Sequence, residues 1–329
     1  MPTIYDVAKQ AGVSIATVSA VLNRTAFVSP ELTKRVKEAV KELDYTINHL
    51  ARSMQTHKTR TVGMLIPEGA PPDPFYAEVT RGAEDAFRKK GYLLILGHTY
   101  NRVEEQSRYL ADFRSRLVDG VLLFQAPGED EELTRLLHDK RPIVFVGRIP
   151  QGIAADVVAT DIAAGTKAGV SHLLSRGHRR IGLLTVAKSM SVSEARLIGW
   201  RQALKAAGIR VDPALALKTD LSAEGGQASA RQILSLEARP TALFVDNLVM
   251  TIGVLRTLQL LHLECPKDVE VMSSDDAEWL DVFRPVISTV VQPSYELGVR
   301  AAEMLLRRIR YPGRPHEKVL LKPTLHIRT

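Results

Sequence analysis

Two stretches of this chain hold residues whose types and spacing suit chemistry. In the first, Ile15, Ala16, Thr17, Ser19 and Ala20 put small side chains at the start of a short helical segment. They are small enough to enter a DNA major groove and meet base edges there. Ile15, Ala16 and Ala20 lack hydrogen-bonding groups, so readout at those positions would be apolar, through thymine methyls or steric fit. In the second, Asp275 and Asp276 follow an apolar run. Such a pair could do acid–base or metal chemistry, but adjacent side chains diverge and no His or Cys lies close in sequence. A carboxylate at the end of a strand in an open α/β sheet lies where ligands bind. Asp275 therefore reads as a hydrogen-bond acceptor for a ligand and Asp276 as structural. There is no Gly-x-Gly-x-x-Gly after a strand, no phosphate loop, no Gly-x-Ser-x-Gly and no His-x-x-x-His helix. Neither catalysis nor a cofactor or metal is expected.

The elements that must position these residues can be read locally. Thr3 and Asp6 suit a capping box, with Ile4, Val7, Ala8 and Ala11 at helical spacing. Gly12 permits a left-handed reversal, and Ser14 has the chemistry to cap a second helix whose inward face is Val18, Val21 and Leu22. The alternative is a helical hairpin of an ordinary bundle. Ser29-Pro30 opens a third helix striped by Leu32, Val36, Ala39, Val40 and Leu43, enough to close a small domain. Residues 48–54 place Leu50 and Met54 four apart, but seven residues are too few for a helix without a partner. From residue 61, strands are predicted at 62–66, 93–97, 121–125, 143–146, 157–160, 181–186, 242–245 and 269–273. Helices are predicted at about 75–90, 104–118, 130–140, 162–176, 193–207, 225–237 and 248–261. Such alternation means parallel sheets covered on both faces.

Charge is uneven. Residues 1–60 hold nine Lys/Arg against five acids, so more than half of the net +7 lies in under a fifth of the 329 residues. A basic head suits phosphate contact. Cys265 is the single cysteine, so no intrachain disulfide forms, and it reads as structural. No apolar run reaches the ~20 residues of a membrane span, and the first residues lack a secretory apolar core. The expectation is a cytoplasmic protein with no membrane partner.

The pattern T-I-x-D-V-A-x-x-A-G-V-S-x-x-T-V-S-x-V-L-N resembles the N-terminus of LacI/GalR-family transcription regulators. Further landmarks follow in order: Ala51-Arg52-Ser53-Met54, Thr160-Asp161, Gly177-His178-Arg179-Arg180-Ile181-Gly182, Arg196 with Gly199, Ser274-Asp275-Asp276 and Ser288-Thr289-Val290-Val291-Gln292-Pro293. The resemblance implies an all-α helix-turn-helix domain over 1–46 and a hinge and linker over 47–60. A core of two Rossmann-like, periplasmic-binding-protein-like subdomains would fill 61–329. The N-subdomain would take about 61–161 and 292–321, the C-subdomain about 162–291 and 322–329. It implies DNA contacts from Thr3, Ser14, Ile15, Ala16, Thr17, Ser19, Ala20, Asn23, Arg24, Asn48, Ala51 and Met54. Met54 stands where the family usually has a leucine that wedges into the minor groove. It implies an effector cleft using Phe75, Arg148, Arg196 and Asp275.

Several positions depart from the family pattern. Asn247-Leu248 replaces a frequent Asn-Asp, Leu221 replaces the aromatic of the purine-responsive type, and Met190 and Val192 replace its polar contacts. Ile47 stands where proline is usual. The implied function is that of a dimeric regulator, a repressor on a pseudo-palindromic operator of double-stranded DNA. A small effector, a sugar or sugar derivative, would control it. The alternatives are a ligand-independent or activating regulator, and a small-molecule-binding or enzymatic α/β protein.

Overall fold

The computed structural model describes residues 2–23, 26–45, 58–67, 73–148, 150, 152–187 and 190–328. The chain divides into two compact units, Met1–Thr59 and Arg60–Thr329.

The first unit holds α1 (Ile4–Ala11), α2 (Ile15–Asn23) and α3 (Pro30–Glu42). The capping box forms: the Thr3 hydroxyl accepts from the Asp6 N–H, and the Thr3 N–H donates to the Asp6 carboxylate. Gly12 follows α1 at φ 62°, the left-handed conformation that a side chain would strain. Ser14 Oγ accepts from the Thr17 N–H at 3.1 Å and starts α2. Ser29 and Pro30 start α3. Val7, Ala8, Ala11, Val18, Val36 and Ala39 form the core, with Val21 and Leu22 packed at its edge. Arg35 closes the turn from α3: its Nη2 donates to the Ala11 carbonyl at 2.6 Å, at the negative end of α1.

The second unit holds two six-stranded sheets. The first comprises β1 (Thr61–Ile66), β2 (Leu93–His98), β3 (Gly120–Leu123), β4 (Ile143–Val146), β5 (Asp156–Thr160) and β11 (Lys318–Leu321). Their order is β11-β5-β4-β3-β1-β2, all parallel. The second comprises β6 (Ile181–Val186), β7 (Ala216–Thr219), β8 (Ala242–Val245), β9 (Glu270–Ser274), β10 (Ser288–Val291) and β12 (Thr324–His326). Their order is β12-β10-β9-β8-β6-β7, with β12 antiparallel to β10. The chain thus passes between the sheets three times, after β5, after β10 and between β11 and β12.

The connecting helices are α4 (Pro74–Arg88), α5 (Val103–Ser115), α6 (Glu131–His138), α7 (Ile162–Ser175), α8 (Met190–Ala206), α9 (Ala223–Leu234), α10 (Leu248–Leu260) and α11 (Ser294–Arg310). The central strands β3, β4, β5, β8 and β9 are buried along their whole length, as sheets covered on both faces require. On the first sheet α11 crosses α4 at two glycines. A Cβ on Gly298 would lie 2.0 Å from the Val79 carbonyl oxygen, and one on Gly82 would lie 2.1 Å from that of Tyr295.

The expected architecture is present, but four strands and a helix were not read from sequence. Strands β7, β11 and β12 are short and partly or wholly exposed, so they lack an apolar signature. Strand β10 falls within the 288–293 landmark, and α11 lies beyond the last predicted strand. Helix α4 starts at Pro74, one residue earlier than predicted, because Asp73 caps it.

Candidate functional site

On α2, Ile15 and Ala16 stand exposed, and Thr17, Ser19 and Ala20 are half-buried. The Thr17 hydroxyl lies 2.9 Å from that of Ser14, so these two polar groups satisfy each other beside the apolar Ile15 and Ala16. Thr3 is exposed and its hydroxyl donates to Asp6 at 2.7 Å. Tyr5, 68% exposed on α1, is a surface aromatic that sequence reasoning passed over. Asn23 ends α2; its side chain, together with Arg24, Asn48, Ala51 and Met54, lies outside the described residues.

In the core, Phe75, Arg148, Arg196 and Asp275 come together on a single cavity of about 90 Å³. It opens at the carboxyl ends of strands from both sheets: Gly147 and Arg148 follow β4, Asp246 follows β8, Asp275 follows β9 and Gln292 follows β10. This is where an open α/β sheet leaves room for a ligand.

The first sheet supplies an aromatic wall. Phe75, Tyr76 and Phe124 pack edge to face, with centroids 5.2, 5.3 and 6.2 Å apart. Such rings present flat apolar faces to C–H groups. Arg148 Nη1 donates to Asn101 Oδ1 at 2.8 Å and to the Gln125 carbonyl. Burial lowers the Arg148 pKa, and guanidinium chemistry keeps it charged.

The second sheet supplies a charged wall. Arg196 is 2% exposed, and its Nη2 pairs with Asp246 Oδ1 at 2.7 Å. Asp246 is fixed in turn by the Thr185 hydroxyl at 2.6 Å and the Val186 N–H at 3.0 Å. Arg196 Nε and Nη1 are buried and have no hydrogen-bond partner. Unpaired buried donors cost on the order of 1–3 kcal/mol each.

Asp275 sits at φ 66°, a left-handed conformation in a non-glycine residue. Its Oδ1 accepts from Gln292 Nε2 at 2.7 Å. Burial, and then the charges of Asp73 and Asp246, push its carboxyl up to about 7, against the lowering pull of Arg196 and Gln292. Asp276 turns to structural partners: Thr289 at 3.0 Å, His326 at 2.9 Å and Arg328 at 2.8 Å. Those hydrogen bonds hold its pKa below the usual range despite burial. Sequence reasoning missed Asp73, Asp246 and the aromatic partners of Phe75. Asp246 carries the same signal as Asp275, a carboxylate ending an apolar strand.

Residues 3–48 match the family model for bacterial regulatory proteins, lacI family, and residues 170–329 match that for the periplasmic binding protein-like domain. The ribose operon repressor of Escherichia coli (strain K12) is 34% identical over 328 residues, covering 99% of this chain and 98% of that protein. The chain belongs to the lacI family of bacterial regulatory proteins. Solved lacI-family structures resemble it along nearly their whole length. The lac repressor dimer bound to operator and the anti-inducer ONPF has a TM-score of 0.84 at 26% identity, covering 98% of this chain and 97% of that one. The transcriptional regulator CelR–cellobiose complex has a TM-score of 0.76 at 30% identity, covering 99% of each chain. Among the described residues no helix is long and apolar enough to cross a membrane.

Proposed function

We propose that this chain is a sequence-specific DNA-binding repressor, dimeric on a pseudo-palindromic operator and controlled by a small polyhydroxylated effector in the cleft. The observation that carries the effector reading is Arg196. Arg196 lines a cavity beside a carboxylate acceptor and an aromatic wall, and its Nε and Nη1 are buried without a hydrogen-bond partner. Hydroxyl groups answer both needs, since their oxygens accept from Arg196 and their protons go to Asp275. The names of the relatives, a ribose operon repressor and a cellobiose complex, favour a sugar.

In this reading Ile15, Ala16 and Ala20 contact base edges, with Thr3, Ser14, Thr17, Ser19, Asn23 and Arg24 around them. Asn48, Ala51 and Met54 act in the hinge. The cleft is formed by two sheets joined by three chain passages, and an effector that binds open and closed cleft geometries unequally shifts their populations. The protein works in the cytoplasm and catalyses no reaction. Thermal-shift titration with unmodified pentoses and hexoses tests the reading, because a bound ligand raises the melting temperature by mass action. A sugar that stabilises wild type and not Arg196→Ala supports it; equal stabilisation of both contradicts it.

A further inference from the structure

Asp275 lines the cleft on a left-handed backbone, at φ 66°. A non-glycine residue stays in that region only where its surroundings fix it. On the side of β9 the fixing comes from the sheet. Ser274 pairs with Val290, and the Asp275 N–H donates to the Val290 carbonyl at 3.0 Å. On the other side it comes from Asp276. That carboxylate accepts from Thr289 of β10, from His326 of β12 and from Arg328 just beyond.

Arg328 reaches further than Asp276. Its side chain is 8% exposed, and its Nη2 lies 2.8 Å from Asp276 Oδ1. Nε donates to Asp281 at 2.7 Å, and Nη1 donates to the Ile287 carbonyl at 3.3 Å and to Thr289 Oγ1 at 3.2 Å. One guanidinium thus grips the start, the middle and the end of the connection from β9 to β10. Over 275–287 that connection has one short 3-10 turn, Glu278–Asp281, as its regular structure. A planar fork can hold two carboxylates at a fixed separation, which a lysine ammonium cannot.

We propose that Asp276 and Arg328 are positioning residues of the cleft: together they pin the turn after β9 and so hold the Asp275 carboxyl in the lining. This rests on the reading of the cleft as the effector site. Among the described residues the Asp275 side chain has one hydrogen bond, from Gln292. Its place therefore depends on the backbone that carries it. With the turn loosened, relaxation toward an ordinary φ would carry the carboxyl out toward water.

The test combines Asp275→Asn with Asp276→Asn and, separately, with Arg328→Lys, in thermal melts of the full chain at pH 8. Lysine keeps the charge but not the fork, and the amide of Asp276→Asn replaces one acceptor oxygen by a donor. Both changes loosen the clamp mildly. Asp275→Asn alone should raise the melting temperature, because it removes a carboxyl that burial disfavours. In both backgrounds the proposal expects that rise to fall by half or more. A clamp that only stabilises the fold would lower the melting temperature and leave the rise whole, and this additive result would overturn the proposal. No rise in the wild-type background would overturn it too, since the carboxyl would then not be held in a buried place. Calorimetry with a sugar that stabilises wild type is the second arm. Its affinity should fall about tenfold or more in Asp276→Asn and in Arg328→Lys; unchanged affinity would remove both residues from ligand binding. A wild type that binds no sugar would remove the effector reading, while the melts still decide whether Asp276 and Arg328 place Asp275.

Discussion

Asp275 shows how a single residue in the cleft is held at a cost. Its carboxyl, raised to about 7 from an ordinary 3.8, binds a proton more tightly in the folded chain than in the unfolded one. Between about pH 4 and pH 7 the folded state therefore carries more protons, and stability falls as pH rises through that window. The penalty is absent below the unfolded pKa and complete above about 7. Asp275→Asn removes it, keeps an acceptor for Gln292 and suits the left-handed backbone. Melting temperatures of the two proteins should be close near pH 3, below the unfolded value of 3.8, and should separate progressively up to pH 8, with the variant higher. The gain is roughly 4 kcal/mol at most, at 1.36 kcal/mol per unit of pKa. A variant less stable than wild type at pH 8 would show that the carboxylate is instead stabilised where it lies. Asp246 behaves oppositely. Removing it in Asp246→Ala leaves Arg196 charged and buried, and should cost about 3–5 kcal/mol in chemical denaturation. A loss under 1 kcal/mol would place Arg196 in contact with water. The two aspartates share one sequence signal, the carboxylate ending an apolar strand, and only burial and partners separate their roles. Asp73 was not legible as a cleft residue. Locally it reads as a helix cap before Pro74, which it also is, and its nearness to Asp275, some 200 positions away, is a tertiary fact.

At the scale of elements, what is written locally was legible and what depends on distant partners was not. The cap at Thr3, the turn at Gly12 and the stripe of α1 and α2 all lie within twenty residues, and the structure carries each of them. The edge strands β7, β11 and β12 exist because β6, β5 and β10 offer them hydrogen bonds, which their own short sequences do not announce. The turn before α2 also depends on Arg35 from α3, seen only in the folded unit. Gly12→Ala should destabilise the first unit by about 1–2 kcal/mol for the left-handed backbone. It should cost more where the new Cβ meets the Arg35 guanidinium, at 2.5 Å. Thermal unfolding of residues 1–59 within the full chain, followed by operator binding, measures it; an unchanged melting profile would contradict the assigned turn. On α2, exchanging Ile15 and Ala16 for polar residues should leave folding intact, since both side chains are exposed. The exchange should change which operators are selected from a random DNA pool. An identical selection profile would remove these residues from base readout.

At the scale of the whole molecule, the proposal joins a basic helical unit that reads DNA to a two-sheet unit that binds a small ligand. Ligand control requires that occupancy of the cleft change the affinity for operator, with a coupling of typically 1–3 kcal/mol, or about 5–150-fold. The central measurement is fluorescence-anisotropy titration of operator DNA at fixed salt, with and without a stabilising sugar, for wild type and Arg196→Ala. The account predicts that the sugar changes operator affinity of wild type by at least about fivefold. Arg196→Ala should bind operator like sugar-free wild type and ignore the sugar. A variant that still responds at the concentrations effective on wild type would contradict the account, because the controlling ligand would then act away from the cleft.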